Sequence, residues 1–369
     1  MFALAKQRIE LRTASFDDYE AIATLEIKHG LTCKPFDEWR RLWTDNPLYR
    51  EFGPKWPIGW VLRDRDRIVG SSGNIPLPYV FRGKKMLVAS GRGWVVEDCY
   101  RGYAPLLADE YFSQQNVDVF LNNTVNAHAS EAFHTFGSLR VPVGDWSTAA
   151  FAITNHRGFA ESALRIKEIP QPRFLSYPAG LALSLKDRFT TKRISRSRAD
   201  VCLARDFDQQ FDTFWTRLQE RTSAFLAVRS REVLNWHFGP SMASNGIWVL
   251  TAARCGNMQA YAVFQRRDER RYGLTRMRMV DFQALECHDL YCAALMQRAY
   301  EECRAQNIQV LEHVGCDLEK TRAFEQAAPY RRKLPTWSFF YLANDPELTS
   351  YLSRPEAWAP SSYDGDSSL

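Results

Sequence analysis

The order of predicted elements occurs twice along the 369 residues, and this repeat limits the fold more than any other feature of the sequence. Residues 8–22 alternate as a short strand and continue as an amphipathic helix, and residues 199–215 do the same. In each half, three strands follow, and then a helix, a strand, a helix and a closing strand. A repeat of about 190 residues is too long for a solenoid unit. It predicts an α/β protein with two tandem domains of one fold, each a mixed β-sheet flanked by helices.

The predicted domain bounds follow from changes in composition. We expect an N-terminal domain at 1–150, an irregular basic linker at 151–198, a C-terminal domain at 199–345 and a tail of loop composition at 346–369. The linker prediction depends on its prolines and on the basic run KDRFTTKRISRSR. For that run a solvated segment is favoured over a binding patch.

Composition excludes several classes of protein. The net charge of +5 is mild and suits a small anionic ligand as well as RNA. The eight cysteines have no CxxC spacing, and none lies beside a histidine at zinc-ligand spacing, so no metal is expected. The first residues are too few and too charged for a signal peptide, and no apolar run is long enough to span a bilayer. We therefore expect a cytoplasmic protein with reduced thiols.

The stretch EDCYRGYAPLL, residues 97–107, follows a predicted strand and opens a predicted helix. Pro105 occupies an early position of this helix. Proline has no backbone amide hydrogen, and an amide at such a position would have no partner within the helix. Unpaired amides and the helix dipole favour an anion at such a turn. The residues alone leave open whether this turn binds a phosphate group or is only a bend in the chain.

The element order and this turn resemble the GNAT superfamily of acyl-CoA-dependent N-acyltransferases, over both halves of the chain. In that family a strand ends in the turn Q/R-x-x-G-x-G/A, which binds the pyrophosphate of the cofactor. Here Arg101 matches the first position, whereas Ala104 and Leu106 replace the small residues of the pattern. The resemblance implies contacts with acyl-CoA from the turn and from the backbone of the preceding strand, namely from Val95, Val96, Arg101, Gly102, Tyr103 and Ala104.

A second motif of the family, N-x-x-A-x-x-x-Y-x-x-x-G-F, resembles the stretch NAHASEAFHTFGS. Asn126 matches the residue that contacts the cofactor, and Phe133 lies where many members have the tyrosine that protonates the departing thiolate. Phenylalanine cannot donate a proton, so that role is vacant or has moved. The resemblance thus implies cofactor contacts at both positions but no acid at the second.

Acyl transfer to an amine needs a base near the thioester. The resemblance implies a base at the end of the strand, where Glu97 and Asp98 lie; His128 and His134 are further candidates because histidine titrates near neutral pH. We take Glu97 and His128 as the predicted catalytic residues. Solvated carboxylates and capping histidines are the structural alternatives. The predicted substrate-binding residues are Trp39, Asn122 and Asn123, for which core packing and loop hydrogen bonds are the alternatives.

The second copy lacks the glycine turn, because ECHDLYCAAL stands in its place. We expect this domain to have lost the cofactor site and to act as a scaffold or substrate wall. The favoured function is therefore transfer of an acyl group, with acetyl expected, from acetyl-CoA or another acyl-CoA to a small-molecule amine such as an amino sugar.

Two other functions stay open. The stretch SREVLNWHFGP, 230–240, is similar to segments of Fem-type aminoacyl transferases and of GNAT-like proteins linked to polysaccharide assembly. In a Fem-type enzyme the basic run would hold tRNA phosphates, whereas the favoured function needs no nucleic acid. The third possibility is a binding or scaffold protein in which both copies are degenerate. The oligomeric state is open.

Overall fold

Two mixed β-sheets flanked by helices make up the protein, as predicted for an α/β chain. The computed structural model describes residues 9–144, 146–190, 199–314, 328–334 and 338–369. The strands are β1 (Ile9–Thr13), β2 (Gly59–Asp64), β3 (Arg67–Phe81), β4 (Lys84–Val96), β5 (Val119–Val125), β6 (Leu139–Arg140), β7 (Thr148–Ile153), β8 (Asp200–Ala204), β9 (Leu226–Ala227), β10 (Ile247–Arg254), β11 (Asn257–Arg266), β12 (Arg276–Ala284), β13 (Val310–Val314), β14 (Tyr330–Lys333) and β15 (Ser338–Ala343).

The helices pack on the faces of these sheets. They are α1 (Tyr19–Lys28), α2 (Phe36–Thr44), α3 (Pro47–Phe52), α4 (Ala104–Phe112), α5 (Ala127–Thr135), α6 (His156–Ile166), α7 (Pro172–Thr190), α8 (Gln209–Gln219), α9 (Arg231–Ala243), α10 (His288–Ala305) and α11 (Pro346–Leu352). Within the described ranges, none of them has both the length and the apolar composition of a membrane-crossing segment.

The two sheets have the same strand arrangement. The first runs β1-β2-β3-β4-β5-β15-β6, with β9 added beside β3, and the second runs β8-β10-β11-β12-β13-β7-β14. Among the described strands, the fourth and fifth of each sheet are parallel to one another, and every other pair is antiparallel. The repeated element order therefore corresponds to a repeated topology.

The sixth strand of each sheet comes from the other half of the chain, which the sequence did not predict. β7 leaves the first half and pairs with β13, and β15, near the end of the chain, returns to pair with β5. We expected strands near 140–144 and 336–343, each closing the sheet of its own half. The second strand exists as β15, but it joins the sheet of the first half. At the first place, only Leu139–Arg140 is a strand. Alternation of apolar residues predicts a strand but not the sheet that it joins.

Residues 151–198 are not an irregular linker in their described part. They contain the end of β7 and the helices α6 and α7. Pro172 is the first residue of α7, a position that proline tolerates, and Pro178 lies inside the same helix. The predicted tail at 346–369 is also structured, because it begins with α11 and continues as a buried segment that includes Trp358 and Tyr363. The domain bounds themselves stay predictions.

The two sheets share one hydrophobic core. A single cluster of buried side chains contains Val88 and Phe120 from the first sheet, Tyr261 and Val263 from the second, and Tyr363 from the C-terminal segment. Because these residues exclude water together, the two copies cannot separate without exposing that core. The exchanged strands add a second physical link between them.

A fully buried ion pair lies where the two copies and the C-terminal segment meet. The Arg229 guanidinium donates to both carboxylate oxygens of Asp281, at 2.9 and 3.0 Å, and both side chains are inaccessible to solvent. Tyr261 and Ser361 also donate to Asp281, each at 2.9 Å. Burial alone would raise the pKa of Asp281, but Arg229 and hydrogen bonds from Gln283 and Ser361 hold it below its usual value. The carboxylate is therefore ionised and fully hydrogen-bonded.

Replacement of Arg229 by methionine should lower the free energy of unfolding by about 3–5 kcal/mol, because it leaves Asp281 buried and uncompensated. The pKa of Asp281 would then rise above its unfolded value, so the deficit should shrink as the pH falls from about 7 to about 5. Urea unfolding at both pH values measures this. As a control, Arg221→Met removes the partly exposed pair with Glu286 and should cost less than about 1 kcal/mol. Equal losses in the two variants would contradict the central role of Arg229.

Candidate functional site

An opening lies between β4 and β5, the only parallel pair among the described strands of the first sheet. Their pairing covers three positions, from Val88 opposite Val119 to Ser90 opposite Leu121. Both strands then continue, to Val96 and to Val125, without pairing to each other. Parallel strands that stop pairing leave backbone amides and carbonyls turned towards the gap between them. This gap is the candidate functional site.

A β-bulge in β4 shapes the opening. The pairing with β3 passes from Ser71 opposite Val95 to Gly73 opposite Arg92, so two residues of β4 face one of β3. Gly93 lies in the bulge with a φ of +58°, and a Cβ there would come within 2.1 Å of the Glu26 carboxylate. Glycine is therefore required at this position. The bulge brings the carboxylate of helix α1 against the backbone of β4.

The amides of the predicted residues Val95 and Val96 point in opposite directions. The amide of Glu97 donates to Val69 of β3, at 2.9 Å. Since amides alternate sides along a strand, the Val95 amide faces β3 as well, and the Val96 amide faces the opening. Of the two predicted backbone donors, Val96 is thus the one that a ligand in the opening can reach.

The predicted phosphate turn lies at the end of β4. Residues 98–103 form a 3-10 turn, and α4 begins at Ala104 with Tyr103 as its N-cap and no side chain capping the helix. The Ala104 amide donates to the Arg101 carbonyl, and Pro105 has no amide, so the 3-10 turn runs directly into α4. An anion at this turn would therefore depend on the amides after Pro105 and on the helix dipole. Arg101 is exposed and pairs with Asp98 at 2.7 Å. A Cβ added to Gly102 would touch nothing within 4 Å, so the unliganded turn does not itself require glycine there.

The second motif forms the start of helix α5. Asn126 is the N-cap, and its side-chain oxygen accepts a hydrogen bond from the Ala129 amide at 2.9 Å. Phe133 is buried, and its ring centroid lies 5.4 Å from that of Trp94 and 5.7 Å from that of Phe340. The structure gives these residues capping and packing contacts, and their predicted contacts with the cofactor stay predictions. His128 lies in α5, with its side chain outside the described part of the structure.

The three predicted substrate-binding residues are buried in separate contacts. The Asn122 amide donates to the Tyr111 hydroxyl at 3.3 Å. The Asn123 amide donates to Ser367 Oγ at 3.1 Å and to the carbonyl of Asp364. Trp39 packs on Trp43, with ring centroids 5.0 Å apart. Asn123 therefore holds the C-terminal segment against the end of β5.

The predicted base Glu97 is engaged in two ion pairs. Its carboxylate lies 2.8 Å from the Lys28 amine and 3.3 Å from the Arg67 guanidinium. Both cations are largely exposed, and the carboxylate itself is mostly covered. These contacts join α1, β3 and the end of β4, so they account for Glu97 as a structural clamp. Its catalytic role stays a prediction.

Glu26 is a functional candidate that the sequence reasoning missed. It lies on α1, is 4% exposed, and lines a small cavity together with Trp39, Ser72 and Arg92, with room for about one water molecule. Burial raises the pKa of its carboxyl, and the nearby Arg92 partly offsets this rise. A carboxyl that is poised closer to neutrality beside the opening is suited to accept a proton. The sequence signal that could have identified Glu26 is its position four residues after Ile22, which places a carboxylate on the apolar face of the helix.

Cationic side chains from both copies converge beside this cavity. Arg92 lies 3.9 Å from Asp366 of the C-terminal segment, and Arg267 donates to the Ser367 carbonyl at 3.0 Å. The Nε atoms of both arginines are buried and have no hydrogen-bond partner in the described structure. Burial, together with Arg92 and neighbouring arginines of the second sheet, lowers the pKa of Arg267 to about 10. We call Arg92, Arg267 and Lys34, whose pKa burial and Arg92 also lower, the cationic cluster.

The corresponding opening of the second copy lies beside the buried ion pair. β12 and β13 stop pairing after Met279 opposite His313, and a bulge in β12 follows between Met279 and Asp281. Ser361 bonds to Asp281, and Ser362 donates to the Val314 carbonyl, so the C-terminal segment contacts the ends of both strands. The same segment contacts the first opening, because Asp366 lies 3.9 Å from Arg92 of β4 and Asn123 of β5 donates to Ser367. The two openings thus differ in the side chains beside them, with the pair of Arg229 and Asp281 only at the second.

No protein-family model matches the sequence, and no curated protein matches it. Solved structures do match. A GCN5-related N-acetyltransferase from Anabaena variabilis has 11% identity and a TM-score of 0.54, over 92% of this chain and 73% of that one. A probable N-acyltransferase from Enterococcus faecalis has 10% identity and a TM-score of 0.55, over 91% and 72%.

The N-myristoyltransferase of Saccharomyces cerevisiae with bound myristoyl-CoA is also similar, with 13% identity and a TM-score of 0.56 over 93% of this chain and 80% of that one. At such low identity the likeness concerns the fold. The resemblance to Fem-type transferases is not found among these structures and stays a prediction. Both sheets have the same topology, and the likeness extends over nearly the whole chain. The protein therefore has the fold of the GNAT superfamily, in two copies that exchange a strand.

Proposed function

We propose that this protein is an acyl-CoA-dependent N-acyltransferase that binds its acyl-CoA in the first copy. The observation that carries the proposal is the opening between β4 and β5, which lies beside the turn that leads into α4. This arrangement offers an amide to a thioester carbonyl and a helix N-terminus to a pyrophosphate. A protein of the same fold has been solved with myristoyl-CoA bound, which supports an acyl-CoA as the donor.

In the proposed complex, the Val96 amide polarises the thioester carbonyl. The pyrophosphate lies against the amides that follow Pro105 in α4, beside the turn from Arg101 to Ala104. Acetyl is the expected acyl group. Asn126 retains its predicted contact with the cofactor, although in the structure its side chain caps α5. We expect no binding in the second copy, because its sequence lacks the glycine turn and the buried pair of Arg229 and Asp281 lies beside the corresponding opening.

The acceptor amine enters from the side of the cationic cluster. The amine attacks the thioester carbonyl carbon, a C–N bond forms and the C–S bond breaks. Glu26 accepts the proton that the amine loses, through waters that begin at the small cavity. Its carboxylate lies against the backbone at Gly93, three residues before Val96, which is at most about 10 Å along the strand. One water spans about 5.6 Å between two hydrogen-bonding oxygens, so more than one water carries the proton.

The departing thiolate needs no protein acid in this scheme. A thiol of pKa about 8.5 leaves readily as the thiolate, which takes a proton from solvent afterwards. Phe133 therefore does not rule out transfer, although it cannot play the part of the family's tyrosine. Its contacts with Trp94 and Phe340 give the opening an apolar wall instead.

The cationic cluster supports an acceptor that carries an anionic group as well as its amine. Arg92 and Arg267 are buried close to one another, and their Nε donors have no partner. Asp366 supplies one negative charge at this place, and burial raises the pKa of its carboxyl. A carboxylate or phosphate of the acceptor would satisfy the open donors and offset the remaining positive charge. An amino acid or an amino sugar phosphate has this chemistry.

Isothermal titration with acetyl-CoA should give one site per chain, and transfer should be faster for an amine with an anionic group than for its neutral counterpart. Suitable pairs are an amino acid with its carboxamide, and an amino sugar phosphate with the free amino sugar. Arg267→Gln should remove most of the preference within each pair, with the binding of acetyl-CoA unchanged. Two sites per chain, or no binding together with no transfer to any amine, would contradict the proposal. The latter result would favour a Fem-type or scaffold protein.

Glu26→Gln should lower kcat/KM by about 10²–10⁴-fold, as expected when a general base is lost. In the parent protein, the acidic limb of the pH–rate profile should lie above the usual range of a glutamate. Burial raises the pKa of Glu26, so its base form appears only as the pH rises further. The variant should lack this limb. Measurement of kcat/KM between about pH 5 and pH 9 tests both points.

Glu97→Gln is the matched control for this measurement, because it removes a carboxylate at the end of β4 that is held in two ion pairs. This variant should have a lower melting temperature, because two ion pairs are lost, and it should keep the acidic limb of the pH–rate profile. If Glu97→Gln abolished the limb and Glu26→Gln kept it, the base would be Glu97 and our assignment of Glu26 would be wrong.

A further inference from the structure

Helix α7 has its large apolar side chains on the outside and its small residues on the inside. Ser176 and Gly180 are buried against α6, and a Cβ added to Gly180 would lie 2.8 Å from the Arg157 Cα. The helix is fixed to the protein by Asp187, which accepts hydrogen bonds from the Tyr330 hydroxyl and from His156, the latter at 2.7 Å. The rotation of α7 about its own axis is therefore set by this close packing, and so is the choice of residues on its outer face.

The outer face of α7 is a continuous apolar stripe. Phe174 is 78% exposed, Leu181 is 63% exposed and Phe189 is 88% exposed. Leu185 lies between the last two and is also exposed. These residues recur at spacings of seven, four and four, which places them on one side of a helix. We call this set the α7 stripe; from Phe174 to Phe189 it is about 22 Å long at ~1.5 Å per residue.

Such a stripe is uncommon on a surface that only water contacts. Single exposed apolar residues are ordinary, but a contiguous row of large ones marks a place where a protein or a membrane binds. The stripe lies on α7, away from the opening between β4 and β5, so the proposed acyl transfer does not account for it.

The charges around the stripe favour an anionic partner. Arg173 and Arg188 are exposed at its two ends, and Arg173 also lies 3.8 Å from Glu161 of α6. The segment 172–198 contains seven lysines and arginines and a single acidic residue, Asp187. That residue turns inward to His156 and Tyr330, so it does not offset the positive charge at the stripe. The last four of these cations lie at 192–198, and only their sequence is considered because the structure does not describe those residues.

We propose that the α7 stripe docks on the surface of an anionic lipid membrane. The helix would lie parallel to the surface, with Phe174, Leu181 and Phe189 inserted between lipid headgroups and with Arg173 and Arg188 beside lipid phosphates. A helix that is apolar along one face and basic at its borders binds membranes in this way. A lipid surface also accepts a convex helix face without a matching groove, which a protein partner would have to supply.

Vesicle flotation of the full chain tests the proposal. We expect the protein to float with phosphatidylcholine vesicles that contain about 30% phosphatidylglycerol, and to float far less with pure phosphatidylcholine. A rise in salt from about 0.1 M to about 0.5 M should weaken the binding, because the attraction of the arginines is screened. The combined substitutions Phe174→Ser, Leu181→Ser and Phe189→Ser should lower the bound fraction at least about tenfold.

The matched control carries Leu139→Ser, Leu203→Ser and Leu290→Ser, which remove three exposed leucines from other surfaces and should leave flotation unchanged. Because all six side chains are exposed, both variants should fold, and equal melting temperatures would establish this. The proposal is overturned if the parent protein does not float with anionic vesicles, or if the α7 variant floats as well as the parent. It is also overturned if light scattering finds a dimer in the parent and a monomer in the α7 variant, because the stripe would then bind a second copy of the chain.

Discussion

The buried pair of Arg229 and Asp281 connects the parts of the molecule on which the proposed function depends. Arg229 follows β9, which pairs with the first sheet, and Asp281 lies in β12 of the second sheet. The C-terminal segment joins them through Ser361. A charge pair without solvent contact is tolerated only when its hydrogen bonds are complete, and here Tyr261 completes them. One polar contact therefore fixes the relative position of two sheets and one segment.

This contact also makes the two copies unequal. Both contain a parallel strand pair that stops pairing shortly before a bulge. The buried ion pair lies beside this point in the second copy, whereas Glu26 and the turn into α4 lie beside it in the first. The C-terminal segment contacts both copies, through Ser361 at Asp281 and through Asp366 near Arg92. We propose that the second copy has lost its cofactor site and that this segment forms one side of the acceptor cleft.

Much of the fold was predictable from the sequence, and the reasons for the failures are physical. The long apolar runs of β3 and β4 predict strands nearly to the residue, because few of their residues stay exposed and β3 is buried on both faces. Three prolines led us to expect an irregular linker, although Pro172 begins a helix at a position that tolerates it. The exchange of β7 and β15 has no local signal. Glu26 was missed because a single carboxylate on an apolar helix face gains its meaning only from Gly93 across the gap.

The central claim is that acyl-CoA binds in the first copy and that the second has lost this ability. Hydrogen–deuterium exchange with and without acetyl-CoA tests it most directly, because amides that bind the ligand exchange more slowly. The account predicts slower exchange at the end of β4, including Val96, and in the first turn of α4, with β12 and the start of α10 unchanged. Slower exchange at β12 and α10, with β4 unchanged, would contradict it.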